Sequence, residues 1–326
     1  MRLRYMLTAL LALAGLTSQA HAGASAKKEY VCPGGYVSPY GECGGDQAPI
    51  GERVTVYIQA NGADAGRPGS YFIGARRNGQ DIVMYTASGQ WLGWQGGLYE
   101  KMHRGLTGPE GAHEVKPFVQ INIGYIDEGV DALAVRNRDL LPPGEPCPDF
   151  MRDYITEMFG SNPEIVEQFF EWIENPHADH FLNFLENELH PFVKDHYNVG
   201  DDEAGVFGFS YGGLFSIYAL TAGSTLFTNF GAGSPGILVP NSTVFDLYRQ
   251  FAANPENDGR PRRLHVTLGT GEILGPHEFY RLLGIEVLKL LNVMRNEPVE
   301  GFELTAKIFE GEDHETGCID AYRSFA

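Results

Sequence analysis

From about residue 54 onward the apolar positions fall into two rhythms. Runs at 54–60, 71–76 and 81–86 follow one another closely and predict three consecutive strands. Further strand-like runs at 118–125, 204–209, 229–233, 263–268 and 303–309 alternate with helical patterns at 181–193, 211–222, 244–252 and 278–294. Strand, helix, strand repeated in this way predicts one α/β domain, a largely parallel sheet with helices on both faces. One stretch breaks the alternation. Residues 150–174 carry Phe159, Ile165, Phe169, Phe170, Trp172 and Ile173 in an acidic, helix-forming context, which predicts either a small helical cap insertion or longer packing on one face of the sheet.

Composition narrows the class. With 326 residues, 43% hydrophobic and 20% charged, the chain is neither disordered nor collagenous, and its 41 Gly and 19 Pro point to many turns. Asp and Glu number 42 against 24 Lys and Arg, with no basic run, so the surface that nucleic acid requires is missing. Residues 1–22 begin with Arg2 and Arg4, continue through an apolar stretch and end in Ala20-His21-Ala22, the form of a secretory signal peptide cleaved near Ala22. That apolar stretch is too short for a spanning helix, which needs about 20 residues, and no later segment approaches that length. The expectation is a periplasmic or secreted protein with no membrane span in its mature chain. A Gly-rich segment, 23–50, precedes the α/β domain at 51–326. Four cysteines in an oxidising compartment allow three pairings; the short spacing favours Cys32 with Cys43, which leaves Cys147 with Cys318.

The strongest chemical signal is Gly208-Phe209-Ser210-Tyr211-Gly212-Gly213, where an apolar strand gives way to a helix. A turn this tight needs small residues at 208 and 212, and it lifts the Ser210 hydroxyl clear of the sheet. The Tyr211 N–H then stands at a helix N-terminus, placed to stabilise an oxyanion. Serine needs a base, and the base needs an acid to orient it. His314 alone among the ten histidines follows the last predicted strand. For the acid, Glu272 follows the strand at 263–268, with Glu278 and Asp313 as competitors and a Ser-His dyad still open. The loop after the third strand, Ser88-Gly89-Gln90-Trp91, offers the Gln90 N–H as second oxyanion donor. His177, Asp179 and His180 follow Asn175-Pro176 and read as a helix start in preference to a metal site, so no metal or other cofactor is called for.

With these residues in place, the chain from about residue 50 resembles the esterase family of α/β hydrolases and, within it, the siderophore (enterobactin-type) esterases. The resemblance is carried, in order, by Ser88-Gly89-Gln90, Ile123-Gly124-Tyr125, Arg136 with Arg138-Asp139-Leu140-Leu141-Pro142, and residues 181–189. It continues through 208–213, Ser234-Pro235 and Gly311-Glu312-Asp313-His314. It implies an α/β-hydrolase fold and a serine esterase that opens a small-molecule carboxylic ester or lactone through an acyl-enzyme. Arg136 and Arg138 would attract catecholate or carboxylate anions, although they equally suit a structural pairing with Asp139. The alternative substrate class is feruloyl or acetyl esters of polysaccharide, with Trp91 and Trp94 stacking on sugars. A non-catalytic binding protein on the same fold is the reading from a different class. The chain departs from its relatives in Ser88-Gly89, where they commonly carry Asp-Gly, and in a longer 150–174 segment.

Overall fold

A computed structural model describes residues 132–160, 162–197 and 203–326, and of the earlier chain the strands alone. Among the described residues, ten strands form one sheet: β1 (Tyr30–Val31), β2 (Val37–Ser38), β3 (Arg53–Gln59), β4 (Ser70–Arg77), β5 (Ile82–Ala87), β6 (Val119–Tyr125), β7 (Glu203–Phe209), β8 (Phe227–Gly233), β9 (Arg262–Gly269) and β10 (Phe302–Phe309). Their spatial order is β1-β2-β3-β4-β6-β5-β7-β8-β9-β10. The pairs β1–β2, β2–β3, β3–β4 and β4–β6 are antiparallel, and every pair from β6 to β10 is parallel. This is the α/β-hydrolase arrangement, with β5 crossing over β6 to lie beside β7.

Each long strand predicted from the period-2 pattern is present, with ends displaced by one or two residues. The pattern did not predict β1 and β2, each only two residues long. Parallel strands need crossovers, and helices supply them. The first described helices are α1 (Ala132–Leu140), α2 (Asp149–Phe159), α3 (Pro163–Ile173), α4 (Ala178–Phe184) and α5 (His190–Tyr197), followed by α6 (Tyr211–Thr221) and α7 (Thr243–Ala253). The last are α8 (Gly271–Leu274), α9 (Glu278–Asn296) and α10 (Gly317–Phe325). Between α4 and α5 the chain widens into a π-helical turn, Leu185–Leu189. The single helix expected at 181–193 is therefore interrupted. The widened turn lies directly ahead of Pro191, which has no N–H to give the preceding turn.

Helix α6 carries no charged residue and is buried from Gly212 to Thr221, as a helix apolar on all sides must be. It rests on β7 and β8 and is covered by α1, α4 and α7. On this face Ala204, Val206, Leu214, Phe215 and Phe230 join one core with the helical layer above them. The opposite face belongs to α10: Tyr322 meets Phe207 edge-on at 5.3 Å, and Phe325 stacks on the same ring at 5.7 Å. Alternation along β7 thus sends 204 and 206 to one layer and 207 to the other.

Two expectations need comment here. The 150–174 segment forms α2 and α3, and Met151, Ile155, Phe169, Phe170 and Ile173 join the α6-side core. The Cys147–Cys318 bridge is not formed; both residues are thiols. Cys147 packs against the α6-side core, whereas Cys318 is buried on α10, so the sheet stands between them. Cys32 and Cys43, like the signal sequence at 1–22, lie outside the described residues. Among the described residues no helix is long and apolar enough to cross a membrane.

Candidate active site

The sequence Gly208–Gly213 turns from β7 into α6 so sharply that Ser210 adopts φ 58° and ψ −122°, a conformation that costs energy for any residue but glycine. Sterics explain the neighbours. A Cβ at Gly208 would run into the Gly212 backbone, and one at Gly213 would stand 2.7 Å from the Gly233 carbonyl oxygen. Hydrogen bonds then pin the turn: Ser210 N–H donates to Gly233 O at 2.9 Å, while Ser210 O accepts from Leu214 N–H at 3.0 Å and Gly236 N–H at 2.8 Å. Tyr211 is the first residue of α6, so its N–H has no carbonyl one turn back within the helix.

His314 stands on the loop after β10, with its ring centroid 5.0 Å from that of Phe209, the residue before the serine. Its Nδ1 lies 2.6 Å from Glu272 Oε1. A carboxylate only accepts, so this contact makes Nδ1 the protonated nitrogen and leaves Nε2 with its lone pair. Glu272 belongs to the short α8 after β9 and is fully buried, yet both its oxygens are satisfied: Oε2 accepts from Ser234 Oγ and from Gly269 N–H, each at 2.7 Å. Among the described residues no hydrogen bond joins Ser210 Oγ to the histidine, a contact that in unliganded hydrolases often tightens only when substrate arrives. Tyr280 stacks on the other side of the imidazole at 4.6 Å and 19°.

The competing acids stand elsewhere. Asp313 Oδ1 accepts the N–H groups of Glu315 and Thr316 at 2.9 and 3.0 Å and so closes the turn that carries His314. Burial raises its carboxyl pKa, but these hydrogen bonds more than offset that and hold it below the usual value. Glu278 is exposed on the first turn of α9.

The two arginines part company. Arg138 is 3% exposed and bonded through two nitrogens to Asp139 at 2.6 and 3.1 Å, so the substrate-binding role expected for it is withdrawn in favour of a buried ion pair. Arg136 lies over the Tyr211 ring, 5.2 Å from its centroid, one residue from the serine. Gln90 and Trp91 lie outside the described residues, although the register sets the last residue of β5, Ala87, against Gly208. His177 and His180 flank the start of α4, each 3.6 Å from an oxygen of Asp179, and their rings stack with planes 7° apart. One ligand atom from each of His177, Asp179 and His180 lies within 4.8 Å of the others, a grouping that could hold a metal ion.

Comparison with known proteins follows the same boundaries. The sequence model of the Esterase family matches residues 170–317, the stretch that contains Ser210, Glu272 and His314. Ferri-bacillibactin esterase BesA of Bacillus subtilis is 28% identical over 108 residues, covering 33% of this chain and 37% of that protein. The siderophore enterobactin esterase of Emericella nidulans is 37% identical over 76 residues, 23% of this chain and 25% of its own. The chain resembles the siderophore esterases. Both alignments span well under half of those relatives' lengths. The siderophore hydrolase EstB from Aspergillus nidulans superposes on 84% of this chain and 92% of its own, with a TM-score of 0.61 at 19% identity, a likeness of fold.

Sequence reasoning missed Ser234 as a partner of the acid, although Ser234-Pro235 stood among the matched motifs. It also missed Tyr280, Phe279, Phe150 and Tyr154. Phe150 meets Phe279 edge-on at 5.7 Å, Tyr154 stacks on it at 6.1 Å, and Phe279 adjoins Tyr280. Burial pushes the Tyr154 hydroxyl up to about 12, so it is neutral at ordinary pH. Aromatic residues at 150 and 154 on one predicted helix were a legible signal of a shared face; their meeting with α9 was not.

Proposed function

We propose that the protein is a secreted serine ester hydrolase acting on a small-molecule carboxylic ester or lactone of the siderophore kind. Ser210 Oγ attacks the carbonyl carbon while His314 Nε2 takes its proton. The oxyanion draws on the Tyr211 N–H and, from the loop that leaves β5 beside Gly208, the Gln90 N–H. The resulting imidazolium is held by Glu272 and then gives its proton to the leaving alcohol oxygen. Water, deprotonated by the same histidine, releases the acid and restores the serine. Arg136 contributes positive charge beside the nucleophile in a chain whose net charge is −18. The helices of 150–174 bring Phe150 and Tyr154 to the aromatic group at His314, which suits a cap over a bulky substrate.

The observation that carries this reading is the His314–Glu272 contact at 2.6 Å beside the strained Ser210 turn. It is tested with a fluorophosphonate probe, a nitrophenyl butyrate assay and a cyclic tri-catecholate lactone. Wild-type protein should be labelled at Ser210 and cleave both esters, and Ser210→Ala and His314→Ala should each lose several orders of magnitude. Retention of more than about a tenth of the wild-type rate by either variant would sink the assignment.

A further inference from the structure

The loop that follows β8 touches both halves of the site. Its Gly233 carbonyl accepts the Ser210 N–H, its Gly236 N–H donates to the Ser210 carbonyl, and between them Ser234 reaches the acid. Ser234 is 2% exposed and has φ 39°, one of two described residues other than glycine with positive φ; the other is the nucleophile. Its N–H donates to Thr267 O on β9 at 2.9 Å, which fixes the backbone so that the hydroxyl points at Glu272 Oε2, 2.7 Å away.

Glycine would occupy this backbone conformation without strain, so a strained serine calls for a task that only its side chain performs. The geometry supplies one. Glu272 has two oxygens and three donors: Ser234 Oγ and Gly269 N–H converge on Oε2, and Oε1 is left to His314 alone. Without the hydroxyl, a fully buried carboxylate keeps a single backbone donor on Oε2 and gains a torsional freedom that turns Oε1 away from the imidazole. We infer that Ser234 is a positioning residue of the hydrolase, holding the Glu272 carboxylate aimed at His314 Nδ1. The inference rests on the serine-hydrolase reading and adds to it a fourth side chain, on the loop that also brackets the nucleophile.

The test uses Ser234→Ala and Ser234→Gly in the full chain. Both should lower kcat at least about tenfold, the cost of one hydrogen bond to a charged group, with KM within about twofold. A Glu272 carboxylate turned from His314 stabilises the imidazolium less, so the acid limb of kcat/KM should move to lower pH. The glycine variant relieves the positive φ and should melt at or above the wild-type temperature, which separates loss of activity from loss of fold. An acid limb and a kcat both unchanged in the two variants would overturn the inference. Should the wild type be neither labelled at Ser210 nor active on any ester, the hydrolase reading itself fails. The His314 imidazole titration, followed by NMR, still decides the Ser234 contact: it should shift downward in Ser234→Ala, and an identical titration would refute it.

Discussion

The two sides of the site are built by opposite means. On the Ser210 side the decisive feature is missing volume: Gly208 and Gly213 let backbone press against backbone, and Ser210 is forced into its positive-φ conformation. On the acid–base side the decisive feature is added hydrogen bonds. Three donors converge on the Glu272 carboxylate in the interior, and the histidine is aligned by the strongest of them. The first side is held by repulsion and should fail through the fold. The second is held by attraction between polar groups and should fail through chemistry while the fold survives.

The largest effect expected is on the steric side. Gly208→Ala puts a methyl group into the Gly212 backbone, which cannot yield as a side-chain tip can, and the strain should reach or exceed about 3 kcal/mol. Thermal unfolding measures it, and a melting temperature within a degree or two of wild type would show that the turn has room to spare. Next comes Glu272→Gln, which keeps size and burial but offers His314 an amide that can present either its oxygen or its nitrogen to Nδ1. Activity should fall by about a thousandfold or more, as when an orienting acid is lost, while Glu278→Gln changes it little. If Glu278→Gln proves the more damaging, the acid has been misassigned. Smallest is Arg136→Gln. Its charge beside Tyr211 should speed an anionic catecholate lactone several-fold more than a neutral nitrophenyl ester, with the gap closing as salt is added. Equal losses on both esters would leave Arg136 as packing for the Tyr211 ring.

The sequence made the steric side readable and hid much of the other. Glycine at 208 and 212 around a serine, at the end of an apolar run, states a strand-to-helix turn in five letters, because the requirement for small residues is local. Period-2 and helical patterns likewise place β7, α6, β9 and β10, the first three largely buried and β10 a half-exposed edge strand. Ser234 is different. Its partner is 38 positions away, and a serine before a proline looks like any turn until β8 and β9 stand side by side. Arg138 shows the same limit from the other direction. Its charge suggests an anion in the pocket, while the adjacent Asp139 already occupies it. Helix α10 was overlooked although Cys318, Ala321, Tyr322 and Phe325 recur at helical spacing, because the pattern was followed only as far as His314.

The sheet order also sets when the site can come into being as the chain folds. Gly269 pairs with Phe309 across one helical crossover, so β9, α9 and β10 bring the acid and the base together over a short loop. The strand that ends at Ser210 has a short link of its own: Phe209 pairs with Gly233 across α6. On its other side Tyr85 pairs with Val206, so β5 joins β7 only after a far longer stretch of chain has closed. Contacts of that separation are the slow ones. A partly folded molecule can therefore hold the β7–β10 block, with Ser210, Glu272 and His314 at its strand ends, before β5 has joined beside Gly208.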